Sequence, residues 1–343
     1  MSTELGDVTV TVDLQKLRCL VLGGTGFIGR RLCSALVAKG AKVRSLTRRR
    51  ILPFSPDARA WHSQIEWVHG TFGDPALIRN TLRNIDIIFH LFSTTLPATS
   101  NEDIQFDLTS NVLPTLQLLQ TARDCGIHKV IFISSGGAIY GISPHLPVAE
   151  DNPTNPISAY GIHKLSIEKY LQLFHQHWQL DYGVLRVSNP YGIGQPVDRP
   201  QGVIAQFVHK AIAHEVLDIW GDGSATRDFI HIDDVIEAFL LLMHHGGPSR
   251  LFNIGSGKGH SLLEVISIIE AIMGEPVEVR FLPARSVDIP RNVLDISRAK
   301  SELGWSPRKT LEAGIQQMLV NAAQRPPNLA GAASFLERLR KHG

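Results

Sequence analysis

Apolar residues along the chain fall into two alternating patterns: short, nearly unbroken runs, and longer stretches in which they recur at helical spacing. From Leu17 the run LRCLVL is followed by the glycine turn GGTGFIG, a helical stretch up to Gly40, and a second strand-like run, AKVRSLT. Strand-length runs return at Ile85–Leu91 (IDIIFHL) and Lys129–Ser134 (KVIFIS), with helical stretches between them, notably Leu108–Cys125. Strands that are apolar on both faces and alternate with helices predict a parallel sheet covered on both sides. The expected fold is therefore α/β, a Rossmann-type doubly wound parallel sheet.

After Pro190 the pattern changes to a loop rich in Gly, Pro and Gln (YGIGQPVDRPQG) and then to shorter mixed elements. This predicts a dinucleotide-binding unit over 17–190 and a smaller C-terminal substrate-binding unit over 191–325, with terminal extensions at 1–16 and 326–343. Phe229–Met243 (FIHIDDVIEAFLLLM) reads as a strand and an apolar helix, so 228–245 is expected to pack back on the first unit. The chain has 343 residues, 43% of them hydrophobic, enough for one large core or two modest ones. Lys and Arg total 34 against 32 Asp and Glu, so no overall field favours nucleic acid. The 3 cysteines, Cys19, Cys33 and Cys125, have neither paired nor metal-type spacing, which suits a reducing compartment. No run approaches the roughly 20 apolar residues of a membrane span, and Met1–Lys16 lacks the pattern of a signal peptide. A cytoplasmic protein is expected. His175 and His177, like His244 and His245, lack ligand spacing with a carboxylate or thiolate, so no metal is expected.

Chemistry enters with the glycines. Gly23, Gly26 and Gly29 follow a strand and open a helix, where they allow a tight turn, close approach of backbone to a pyrophosphate, and close helix–sheet packing. With Phe27 and Ile28 they are the candidate contacts to a dinucleotide. At the end of the second strand Thr47 stands where an NAD-specific protein usually offers Asp or Glu, and Arg48 and Arg49 follow, a charge pattern that suits the 2′-phosphate of NADP. Asp74 is a candidate acceptor for the adenine amino group and equally a candidate cap for the helix beginning at Pro75.

Tyr160 and Lys164 lie four apart in AYGIHK at the start of an amphipathic run, so they share one helix face. An ammonium beside a phenol lowers its pKa from about 10 toward working pH, which equips Tyr160 to exchange a proton with a hydroxyl while hydride moves to or from a nicotinamide. Strand-end Ser134 and Ser135 supply hydroxyls nearby.

Taken in order, GGTGFIG, FISSGGAIYG, YGIHK, RVSNPYG, GDGSATRDFIHIDD, FNIGSG, PARSVDIPRNVLD and ELGW resemble the NAD-dependent epimerase/dehydratase family, whose best-known members are UDP-glucose 4-epimerases. The resemblance covers nearly the whole chain. It implies that Asn111 braces the sheet near the site and that Lys164 also holds the nicotinamide ribose. It further implies that Asn189, Arg227 and Arg285 contact a nucleotide-sugar, the arginines through its diphosphate, and that Trp220 shapes the uracil pocket. By the same resemblance the cofactor is NAD, the two helices around Leu108–Cys125 and Ser158–His175 pair in a homodimer, and Asn292 gates the sugar pocket, where a small residue admits N-acetylated or otherwise substituted sugars.

Two departures matter. The family's catalytic hydroxyl falls at Gly136, so Ser135, with Ser134 as substitute, is the expected third catalytic group. Gly137 and Ala138 stand where related dehydratases carry Asp and Glu, which removes the acid and base that elimination of water needs. The leading expectation is a UDP-sugar 4-epimerase acting by transient oxidation at carbon 4. The alternative is an NAD(P)H-dependent reductase of a 4-keto nucleotide-sugar, suggested by Thr47, Arg48 and Arg49.

Overall fold

A computed structural model describes residues 16–48, 59–197, 201–284 and 289–324. Among the described residues thirteen strands follow one another: β1 (Arg18–Leu22), β2 (Lys42–Thr47), β3 (Ile65–His69), β4 (Ile87–His90), β5 (Lys129–Ser135), β6 (Asp181–Val187), β7 (Asn189–Tyr191), β8 (Leu217–Trp220), β9 (Thr226–His231), β10 (Leu251–Ile254), β11 (Gly259–Ser261), β12 (Val279–Leu282) and β13 (Arg291–Asn292). Seven of them form one sheet in the order β10-β6-β5-β4-β1-β2-β3, with every neighbouring pair parallel. The chain winds one way from β1 to β3 and the other way from β4 onward. The strand ends therefore open a crevice between β1 and β4, where α/β sheets of this kind bind ligands.

The helices are α1 (Phe27–Ala38), α2 (Arg59–His62), α3 (Pro75–Thr81), α4 (Ile104–Asp107), α5 (Leu113–Asp124), α6 (Ala159–Trp178), α7 (Val203–Ala213), α8 (Ile232–His244), α9 (Leu262–Met273), α10 (Ser297–Leu303) and α11 (Leu311–Ala323). Alternate strand residues point to opposite layers. Cys19, Val21, Phe89 and Ile131 face one core with Leu32 of α1 and Phe239 of α8. Leu20, Leu22, Ile88 and Val130 face another with Leu118 of α5 and Leu171 of α6. Both faces of the sheet are thus buried, which is why its strands read as continuous apolar runs. A third core joins α7, α9 and α11 of the smaller unit through Ile212, Ile269 and Ile315.

The two units interleave along the chain. Helix α8 lies against the large sheet. Strand β10 also extends that sheet beside β6, and Leu294, Ala299 and Trp305 join its core, although all these residues fall within 191–325. Buried Asp228 of β9 clamps the crossing point. Its carboxylate accepts from Ser256 N (2.7 Å) and Oγ (2.7 Å), Gly257 N (3.2 Å), Leu294 N (3.2 Å) and Ser188 Oγ (3.3 Å). An Asp228→Ala variant leaves those donors buried and unpartnered, and we expect a loss of about 3 kcal/mol, read by denaturant unfolding.

Candidate active site

The glycine turn at the crevice is built by contacts that exclude side chains. Gly23 has φ +88°, and a Cβ there would lie 3.2 Å from the Leu91 backbone. A Cβ at Gly29 would sit 2.1 Å from the Gly23 carbonyl oxygen, so α1 can reach the β1 turn only with hydrogen at that position. Gly26 opens α1 without any side-chain cap, which leaves the first N–H groups of a long helix directed at the crevice. A cradle of this kind fits the pyrophosphate of a dinucleotide.

A cavity of about 980 Å³ extends from this turn into the smaller unit. Gly23, Gly26, Phe27, Ile28 and Gly29 line one wall, Ser134, Ser135, Tyr160 and Lys164 the middle, and Asn189, Trp220, Arg227 and Asn292 the far side. Thr47, Arg48 and Asp74 are not among the lining residues. Thr47 is buried at the end of β2 and Arg48 is exposed after it. Asp74 caps α3, accepting from Ala76 N (2.9 Å) and Leu77 N (3.2 Å). Arg49 and Arg285 lie outside the described residues. Asn111 lies behind the cavity wall, where its Oδ1 accepts from Thr94 N (2.9 Å) and its Nδ2 donates to the Asp107 carbonyl (2.9 Å).

Tyr160 is placed by the start of α6. The first N–H groups of that helix donate to Asn101 Oδ1 (2.8 Å), Ser100 Oγ (3.0 Å) and the Ser158 cap (3.2 Å), so the first turn is fixed on three sides. Lys164, one turn on, is buried, donates from Nζ to the Ile133 carbonyl (3.1 Å), and lies 4.8 Å from the Phe132 ring centre and 5.5 Å from that of Tyr160. Burial pushes its ammonium down to about 7, while the Asp107 and Glu168 carboxylates pull upward. Burial likewise pushes the Tyr160 phenol up to about 12, helped by Asp107 and opposed by a hydrogen bond with Ser135. Desolvation, and not the lysine neighbour, therefore sets the direction of the Tyr160 shift.

Ser135 is thus the hydroxyl that acts on the Tyr160 phenol, while buried Ser134 Oγ has no partner. Gly136 lacks a hydroxyl for a packing reason. A Cβ there would come within 2.5 Å of Leu294 Cδ1, and the Gly136 carbonyl accepts from Asn292 Nδ2 (3.1 Å). Sequence reasoning passed over Asp107 and His163, which the fold brings together directly behind Tyr160. The available signal was His163 at i+3 from the tyrosine, on the same helix face.

The fold and the cavity define the doubly wound dinucleotide-binding class, with Tyr160 and Lys164 opening on the same cavity as the glycine turn. The model of the NAD dependent epimerase/dehydratase family matches residues 19–255, and the chain belongs to that family. It is 36% identical over 306 residues to UDP-glucose 4-epimerase of Mycolicibacterium smegmatis, covering 87% of this chain and 96% of the relative. It is 32% identical over 315 residues to dTDP-4-dehydro-6-deoxyglucose reductase of Escherichia coli, covering 90% and 98%. UDP-glucose 4-epimerase of Thermus thermophilus, solved in complex with NAD, superposes with a TM-score of 0.81 at 28% identity, over 90% of this chain and 100% of that one.

Two outcomes check the site. Gly29→Ala forces α1 away from the turn and should weaken dinucleotide binding at least about tenfold, by fluorescence titration with NADH. Lys164 titrates at about 7 in the folded chain against an ordinary value of 10.5, so the unfolded chain binds the extra proton between those values. Its contribution to stability therefore grows as pH rises through that window and is a full penalty below about 7. Lys164→Met should remove this slope and raise the unfolding midpoint in acid, while abolishing turnover.

Proposed function

We propose that the chain is a UDP-sugar 4-epimerase that works by transient oxidation at carbon 4. The observation that carries this reading is the meeting of Tyr160, Lys164 and Ser135 with the glycine cradle in one cavity, without acid or base side chains at Gly137 and Ala138. A nicotinamide dinucleotide held along Gly23–Gly29 would supply the hydride acceptor, and the Thermus relative supports NAD as its form. Tyr160 takes the proton of the carbon 4 hydroxyl as that carbon becomes a ketone, and returns it when the sugar presents its other face. Ser135, which acts on the phenol, would also hydrogen-bond the same carbon 4 oxygen. The Lys164 ammonium stabilises the phenolate by its charge. Asn189, Trp220, Arg227 and Arg285 would hold the nucleotide and its diphosphate.

Asn292 supports a broad sugar range. It is buried and lines the cavity, and its Oδ1 has no partner while Nδ2 is tied to Gly136. A free amide oxygen beside a sugar ring suits a hydroxyl or N-acetyl donor, so glucose, N-acetylated and uronic forms of UDP-sugar are the panel to test. The reductase reading draws on the Escherichia coli relative and on Thr47 and Arg48. It requires stoichiometric consumption of NADPH, whereas an epimerase leaves no net change in its absorbance.

The working unit we propose is a cytoplasmic homodimer. Unpaired Cys19, Cys33 and Cys125 support a reducing compartment. Ile104, Phe106, Leu108, Leu113, Ile162 and Trp178 expose large apolar surface on and between α4, α5 and α6, which supports pairing through these helices. We expect light scattering to give a dimer for the native chain and a monomer for a Phe106→Glu, Leu113→Glu variant. Tyr160→Phe should lower interconversion of UDP-sugar epimers at least about 10²-fold, by chromatographic assay, without loss of bound dinucleotide.

A further inference from the structure

We propose that Asp107 is the buried counter-charge of the Tyr160–Lys164 pair and that His163 is the positioning residue that holds its carboxylate there. The proposal rests on the catalytic reading of Tyr160 and Lys164 given above. Asp107 closes α4, at a π turn (Leu108–Val112) that runs on into α5, and both it and His163 are only 2% exposed. His163 Nδ1 lies 2.9 Å from each carboxylate oxygen, and its ring meets the Tyr160 ring edge-on, with centres 5.0 Å apart. Thr95, itself a cavity-lining residue, donates its hydroxyl to Asp107 Oδ1, and Asn111 Nδ2 lies 3.3 Å from Thr95 Oγ1.

The charges around Lys164 single out Asp107. Lys164 Nζ bonds only a neutral carbonyl and faces two aromatic rings. Glu168, on the same helix, is tied to the Arg186 guanidinium of β6 at 2.7 Å, so that pair carries no net charge. His90 of β4 bonds Thr115 of α5 and is held neutral by burial, its pKa down to about 3. His163 Nε2 is buried without a partner, and burial with the nearby ammonium pushes the ring down to about 4. A neutral imidazole donating from Nδ1 fixes the carboxylate without cancelling its charge. Among the described residues, Asp107 is thus the unneutralised negative group facing the pair.

A fixed negative charge raises the proton affinity of both members of a coupled pair, so its removal must lower both of their macroscopic pKa values. The test is Asp107→Asn, which keeps shape, and His163 can change tautomer to accept from the new amide. Tyr160 ionisation is read as the near-ultraviolet phenolate absorbance of each protein minus that of the same protein carrying Tyr160→Phe. The kcat–pH profile is recorded in parallel on a UDP-sugar that the native chain turns over.

We expect the phenolate midpoint to fall by about one pH unit and both limbs of the profile to move to lower pH with KM unchanged. His163→Ala should shift the midpoint the same way and His163→Asn, which restores the donor, should bring it back. Those two variants decide the matter if Asp107→Asn does not fold. Midpoints that stay in place while only the melting temperature falls would overturn the proposal. A shifted phenolate midpoint in a chain that interconverts no UDP-sugar would uphold the counter-charge and sink the epimerase reading instead.

Discussion

The active site depends on keeping an ammonium inside the protein. Burial opposes the charge on Lys164 and brings its pKa down to about 7. The chain answers with one carbonyl, two aromatic faces and, behind them, carboxylates that are themselves held by hydrogen bonds. Tyr160 and Glu168 share helix α6 with Lys164, and the other contacts come from distant parts of the chain. Ile133 comes from β5 and Asp107 from α4, and the order of strands in the parallel sheet sets them at the mouth of the β1–β4 crevice. The same crevice carries the glycine cradle, so one topological feature places both the Tyr160–Lys164 pair and the glycine turn.

The smaller unit is registered to that centre through backbone as well as side chains. Val148 N donates to the Val293 carbonyl (2.8 Å) and Asp295 N to the Val148 carbonyl (2.9 Å), which pins the segment around β13 beneath the end of β5. Leu294 then occupies the space that a side chain at position 136 would need, and Asn292 reaches the Gly136 carbonyl. The bare Gly136 and the cavity-lining Asn292 amide are therefore two sides of one packing arrangement. A serine at 136 would have to displace Leu294, and Ser135 is the hydroxyl the geometry leaves beside Tyr160.

Much of this was legible in the sequence where the signal is local. Continuous apolar runs such as KVIFIS announce strands buried on both faces, and Gly23 and Gly29 announce a close approach that the backbone then makes. Helical spacing puts Tyr160 and Lys164 on one face, and the glycine loop and the strand ending in Ser134 and Ser135 before them make the pair a candidate. What escaped is carried by contacts between distant residues. Strand β10 looks like part of the second unit because its partner, β6, lies far back along the chain. Asp107 and His163 are 56 residues apart, and nothing in either local pattern announces the other. The net direction of the Tyr160 shift was also missed, because a helix-face argument contains the lysine but not the desolvation that sets the direction.

On the proposed reading, carbon 4 is oxidised and restored within one cavity. That cycle is tested most directly by incubating the native enzyme with a UDP-sugar carrying deuterium at carbon 4. Retention of the label at carbon 4 of both epimers, with no deuterium lost to water and no net change in dinucleotide redox state, is the predicted result. Washout of the label into solvent, or conversion only when reduced dinucleotide is consumed, would contradict the account.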